Sequence, residues 1–342
     1  MRIFRTNDLL SFSALIALGA TAVVGAPTAL ANDSAAELSI GGLTFSRTAD
    51  VSMESEELKI SPEAVTVRYH FLNHRPTPVT LTVAFPLPDI DLSEIENIAF
   101  PTSDPVNFVN FETKIDGKRI DLTINQRALL GDKDVTATLR NAGVAVLPIG
   151  AQQKTLTDLQ PAAREKLLND GLLVQSGTDE KGKPIYAPGW IVRTSAVRQQ
   201  TFPPQRPIVV EHRYRTSLGV SFDTVLRRSL RQNKAMKAEV DRYRGLYCVS
   251  PELLSNVDKL AGDTEGNKAK LQEWRISYVL KTGANWAGPI RDFKLVVDTG
   301  KAERLVSFCG QNIKPLSPSA VGVTASDFTP DKNLDILIIG RR

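Results

Sequence analysis

The feature that most limits the fold of this chain is an alternation of period two at both ends, broken in between by stretches of helical period. Val65, Val67, Tyr69 and Phe71 alternate with Thr66, Arg68 and His70. Successive side chains of an extended chain point to opposite sides, so this is a strand with one face buried. The proline-rich turn from Asn73 to Pro78 leads into a second such strand, Val79, Leu81, Val83 and Phe85, which Pro86 and Pro88 end, because proline cannot donate to a ladder. Val109, Phe111, Thr113 and Ile115 form another face. Asp116-Gly117 then turns the chain into Ile120, Leu122 and Ile124, a strong local hairpin signal. Strand pattern returns at Trp190 to Val197 and Ile208 to Tyr214. It returns again at Trp274 to Leu280, Phe293 to Val297, and Leu334 to Ile338.

The interruptions have their own signals. Asp132 to Asn141 reads as a short polar helix. Leu156, Leu159, Ala163 and Leu167 share one helical face, with Thr155 and Asp158 at capping-box spacing. Ser176 to Pro184, rich in Gly, Lys and Asp, reads as a loop. Met236, Val240, Tyr243 and Tyr247 fall on one helical face. Ser250-Pro251-Glu252 starts another helix, with Ser as N-cap and Pro at the first helical position, running to Gly262.

The expected fold is therefore mainly β with helical insertions (α+β), in two antiparallel β-sandwich-like modules. Residues 32–222 form the N-terminal module, with a helical insertion at about 131–184. Residues 223–270 form a helical linker region, and 271–342 the C-terminal β module. The length of 342 residues and the balance of 42% apolar to 23% charged residues suit a chain with substantial cores and no extended disorder.

Residues 1–31 read as a secretory signal peptide. Arg2 and Arg5 make the basic start, Leu9 to Val24 the apolar run, and Ala29-Leu30-Ala31 the small-residue cleavage site. The expected mature chain begins at Asn32 in the periplasm, with no transmembrane segment. Net charge is +4, and losing Arg2, Arg5 and Asp8 leaves about +3, too weak a field to make nucleic acid a partner. Cys248 and Cys309 are the only cysteines. In an oxidising compartment the pair is expected to form one disulfide, a redox pair or half a metal site being the alternatives.

The segment Val65 to Pro88, followed by Phe111 to Ile120, resembles the vault/inter-alpha-trypsin domain, which implies a β-sandwich. No von Willebrand A domain and no D-x-S-x-S motif accompany it, so metal-dependent adhesion does not carry over. The mature chain as a whole resembles a bacterial exported family known only as a domain of unknown function. That resemblance rests on Asn32-Asp33-Ser34, the F-P-L-P strand, Phe202-Pro203, His212-x-Tyr214, Tyr247-Cys248 and the run from Tyr278 to Ile290. It implies no activity.

Candidate chemistry is sparse. His70, His74 and His212 could together hold zinc, or be ordinary hydrogen-bonded histidines. Asp89 and Asp91 could act as a hydrolytic carboxylate pair, or be solvated loop acids. There is no G-x-S-x-G, S-x-x-K or H-E-x-x-H. Arg227, Arg228 and Arg231 open the densest basic stretch, followed by Lys234, Lys237, Arg242 and Arg244. They are candidate contacts to anionic lipid head groups or an acidic partner, or a solvated helix face. Trp286, in the loop Gly283 to Pro289, either stacks on a sugar or anchors a protein partner, or is a plug over the end of a sandwich.

The sequence thus points to a non-enzymatic periplasmic binding or envelope-interaction protein needing no cofactor. An envelope glycan hydrolase working through acidic residues, or a carrier of an apolar small molecule, are the competing readings.

Overall fold

The computed structural model describes residues 34–39, 42–262 and 271–342; the expected signal peptide and its cleavage site lie outside the described residues. The molecule is mainly β, with short helices inserted between strands.

A central eight-stranded sheet has the order Lys314–Ser317, Ala320–Phe328, Ile290–Asp298, Val51–Ile60, Ala64–Asn73, Pro207–Arg215, Glu112–Ile115 and Lys118–Ile120. A second sheet runs Lys133–Asp134, Thr123–Leu130, Ile191–Phe202, Val79–Pro86, Ser34–Ser39 and Gly42–Phe45, with Ile90–Asp91 also on Ile191–Phe202. The inner faces of these two sheets supply the main core, as alternation demands. Val65, Val67, Tyr69 and Phe71 are all at most 2% exposed. Phe85 of the second sheet packs its ring against Phe111, His212 and Tyr214 of and beside the central one, at 4.9, 5.0 and 5.9 Å. The hairpin at Asp116-Gly117 forms as expected, both residues at positive φ (47° and 77°), the geometry that matches strand twist in a two-residue turn. Leu122 and Ile124 do not extend that hairpin. The chain crosses instead to the second sheet at Thr123.

The expected division at residue 271 does not hold at the level of the sheets. Ile290–Asp298 pairs in parallel with Val51–Ile60, Leu295 opposite Leu58, so strands assigned to a C-terminal module complete the central sheet of the N-terminal one. Only part of the late chain builds a third sheet, in the order Leu305–Phe308, Leu334–Arg341, Leu271–Tyr278, Leu218–Ser221 and Ile98–Ala99. That sheet too mixes early and late segments. Its second strand, Leu334–Arg341, is buried from Ile336 through Gly340, which requires cover on both faces. Ile336 and Ile338 join the main core, whereas Leu337 and Ile339 join a second cluster with Leu226, Tyr243, Tyr247 and Val257.

The region 131–184 also departs from expectation. The face from Leu156 to Leu167 is split between Lys154–Thr157 and Pro161–Asn169, with Gln160 extended between them at ψ 143°, because a proline disfavours helical geometry in the residue before it. Thr155 donates to the Gln152 carbonyl at 2.7 Å and does not cap. The expected loop Ser176 to Pro184 is the tip of a two-stranded arm, Leu173–Thr178 against Pro184–Pro188. Asp179 Oδ1 accepts from the amides of Lys181 and Lys183 at 2.9 and 2.8 Å, so the polar cluster closes a turn between strands.

Candidate binding groove

The third sheet has one face on the core and the other toward two helices, and a groove lies beneath the first of them. Trp274, Ile276 and Tyr278 of Leu271–Tyr278 point into the main core. Alternation therefore puts Glu273, Arg275 and Ser277 on the other face. Asp335 stands directly across from Ser277 in the register, and the Ser277 hydroxyl donates to it at 2.6 Å.

The roof is the helix Lys237–Tyr247, which buries Val240, Tyr243 and Tyr247. The ion pair Lys237–Asp241 braces its exposed side, a modest contribution at such spacing, and Glu239 pairs with Arg242 on the flank that lines the groove. The helix ends at Cys248 in the left-handed region (φ 51°), where a disulfide to Cys309 ties it to the end of the third sheet. Ser250 then caps Pro251–Ala261 by accepting from the Leu253 amide at 3.1 Å, as expected.

Between roof and floor lie two cavities, of about 290 and 850 Å³, which share Ile98, Gly219, Arg242 and Arg275 as walls. The smaller is lined by the apolar Val65, Leu87, Ile90 and Phe108 and by the polar Asp89, Ser277 and Asp335. The larger is lined by Glu239, Tyr243 and Glu273, with Phe222 among its walls. Gly219 matters to this arrangement: a Cβ there would meet Arg275 Nε at 2.9 Å, so its absence leaves room for the guanidinium that both cavities share.

The charges are ordered along the floor. Glu273 Oε1 accepts from the Tyr243 hydroxyl at 2.5 Å and from Arg275 Nη1. Arg275 Nη1 also donates to Ser221 Oγ at 2.7 Å. Glu273 Oε2, in a side chain 2% exposed, has no partner among the described residues. Arg242 donates to both oxygens of Glu239, at 2.6 and 2.8 Å, and this bonding holds the Glu239 carboxyl below its usual range. Burial pushes Asp335 up, against the opposing pull of the Ser277 hydrogen bond and Arg242. Burial also pushes the Tyr247 hydroxyl up to about 12. The groove therefore presents donors and acceptors in alternation, on walls that are partly apolar.

Of the candidate residues singled out in the sequence, Asp89 and Arg242 line the groove; Asp91, the histidines, Arg227, Arg228, Arg231 and Trp286 fall elsewhere. Asp89 lines the smaller cavity and is gripped by Arg193 at 2.7 Å. Asp91 faces its own chain, accepting from the Ser93 amide and hydroxyl. The histidines are not gathered. His212 is buried on the inner face of the central sheet, paired with Thr113 Oγ1 at 2.7 Å. His70 lies between the inward Tyr69 and Phe71 and so faces outward, paired with Ser55 Oγ at 2.6 Å. His74 pairs with Ser52 Oγ at 2.7 Å.

The three arginines expected to offer a docking face each pair with an acid of their own chain. Arg227 is 8% exposed and binds Asp223 at 2.7 Å. Arg231 donates to Asp258 at 2.6 Å and to the Leu226 carbonyl at 2.8 Å. Arg228, 67% exposed, reaches the same Asp258 at 2.9 Å. Trp286 is 3% exposed, which removes it as a surface anchor. Sequence reasoning missed Asp335, Glu273 and Arg275, although the alternation of Leu271–Tyr278 placed the last two on one face.

The arginine clamp gives a graded prediction. Arg231→Ala should cost about 2 kcal/mol in urea unfolding, while the exposed Arg228→Ala should stay within about 0.5 kcal/mol. Hydrogen bonds from Arg231, opposed by burial and helped by Arg228, hold Asp258 below the usual carboxylate range. The clamp's contribution is therefore present above that range and is lost as pH falls through the depressed value. Equal effects of the two substitutions would contradict this geometry.

Sheets and groove together define a β-rich protein with a helix-roofed cleft. The chain belongs to the family described as domain of unknown function DUF4424, whose model matches residues 31–337. No curated protein matches it by sequence. Among solved structures it is similar to a Legionella pneumophila protein described as a candidate for nutrient binding, at 12% identity and TM-score 0.43, over 91% of this chain and 70% of that one. It is also similar to an M1 zinc metallopeptidase from Deinococcus radiodurans, at 9% identity and TM-score 0.23, over 86% of this chain and 44% of that one.

Proposed function

We propose that this chain is exported, loses residues 1–31, and works in the periplasm as a non-enzymatic binding protein whose ligand lies under the helix Lys237–Tyr247. The observation that carries the reading is the groove itself: a cavity where the three sheets meet, lined by both apolar side chains and polar groups. Such a mixture is what small-ligand sites offer. The Cys248–Cys309 disulfide supports an oxidising compartment. Among the described residues no helix is long and apolar enough to cross a membrane.

Asp335 supports a working role, because burial there acts against its charge and a purely structural position would gain by losing it. The ionised form is disfavoured in the fold. Stability is therefore fullest below the ordinary carboxylate range and is lost as pH rises through the raised folded value. Asp335→Asn, which can still accept from Ser277, should raise the melting temperature near neutral pH. The gain should vanish in acid, where both side chains are neutral. A lower melting temperature at neutral pH would contradict the assignment.

One observation favours the hydrolase as a second reading: Asp89 and Asp335 line the same cavity, and glycoside hydrolysis needs two carboxyl groups across one space. Native mass spectrometry of protein isolated from its own cells separates the two. A bound small-molecule mass that disappears in Leu246→Trp, which fills the cavity, is the expected result. Turnover of a purified envelope polysaccharide, abolished by Asp335→Asn, would replace binding with hydrolysis. N-terminal sequencing of the same sample should begin at Asn32; a chain retaining Met1 would refute export.

A further inference from the structure

We infer that the groove takes a neutral polyhydroxylated ligand, a short oligosaccharide, because one wall alternates hydrogen-bond acceptors with donors beside an exposed aromatic ring. This rests on the groove being the ligand site. From Glu273 to Ser277 the floor strand advances about 13 Å, longer than a single small ion needs.

Charge narrows the choice further. Arg242 and Arg275 already hold Glu239 and Glu273, so an anionic ligand must compete with a carboxylate at each guanidinium. A cationic ligand would meet both guanidinium groups at the point where the two cavities join. A hydroxyl group both donates and accepts, and so fits a row that offers both in turn. Glu273 Oε2 is the most pointed feature: a buried acceptor without a partner among the described residues, on a residue that lines the larger cavity. A buried acceptor of this kind is costly unless a donor reaches it, and a ligand hydroxyl is such a donor.

A second, independent observation lies in the wall of the same cavity. Phe222 is 69% exposed, the most exposed of the large apolar side chains among the described residues. Arg342 lies over its ring at 4.9 Å, which holds the ring in place. A fixed, exposed aromatic face beside a polar row suits the C–H face of a sugar ring, while the hydroxyls reach the row.

The test is saturation-transfer NMR and calorimetry on the mature protein, using neutral trisaccharides built on glucose, galactose and N-acetylglucosamine. Citrate and spermidine serve as charged probes. The expected result is binding of at least one trisaccharide and of neither charged probe. Glu273→Gln and Phe222→Ala should each weaken it about tenfold or more. Phe222→Ala, at an exposed position, also guards against the first variant failing to fold. Binding of citrate or spermidine with no trisaccharide would overturn the ligand class and leave the groove reading intact. Trisaccharide binding unchanged by both substitutions would overturn the placement. The groove reading itself fails by a different measurement, if protein isolated from its cells carries the same bound mass before and after both Leu246→Trp in the smaller cavity and Met236→Trp in the larger.

Discussion

Trp286→Ala should lower the stability of the folded chain by about 3–5 kcal/mol, the cost of emptying a site of that size in a core. The indole packs against Phe71 at 4.5 Å and Phe202 at 5.8 Å between ring centres, one from each of the two large sheets. Backbone bonds hold its loop down on both sides, from Thr48 to Asn285 and from Ala287 to Val51, each 2.9 Å. The side chain therefore closes the end of the sandwich. Urea unfolding followed by far-UV circular dichroism should show the midpoint falling with little change in slope. An unchanged midpoint would mean that the ring is not packed as described.

Removing the disulfide is expected to have a comparable effect by a different route. The bridge spans 61 residues, and in the chain-entropy account such a closure restrains the unfolded state by about 4 kcal/mol. Cys248→Ser with Cys309→Ser should cost about that much. It should also act on the groove, because Cys248 directly follows the helix residues Leu246 and Tyr247 that line the smaller cavity. With the helix end released, bound small-molecule mass should drop even at temperatures where the double variant stays folded. Mass spectrometry of non-reduced, alkylated protein should label neither thiol. Two labelled thiols would remove the bridge from the account.

Much of the local structure was legible because it follows from neighbouring residues. Alternation located the strands around Val65, Val79, Ile208 and Ile276, and Ser250-Pro251 marked a helix start where one is found. What could not be read was which strand pairs with which. Nothing near Leu295 announces a parallel neighbour at Leu58, so a boundary at residue 271 followed from chain order alone. The groove escaped for the same reason. Asp335 and Ser277 are far apart in the chain and meet only through register. The basic stretch looked like a surface because sequence does not show that Asp258 waits for Arg231. Trp286 was legible as peculiar, but only packing could choose between plug and anchor.

The parallel pairing of Ile290–Asp298 with Val51–Ile60 has a consequence for the order of events as the chain is made. Leu58 emerges long before its partner Leu295. Contacts of such separation are slow to form, and until then one side of the growing sheet stays open, a template for pairing with another chain. The solvent side of that waiting strand carries Glu57 and Lys59, charges of the kind that keep an open edge from recruiting a stranger. Later Glu57 comes opposite Lys294 in the register. The two residues thus serve twice, first as guards of an unfinished edge and then at its closure. A chain cut before residue 290 would keep the first role and never reach the second.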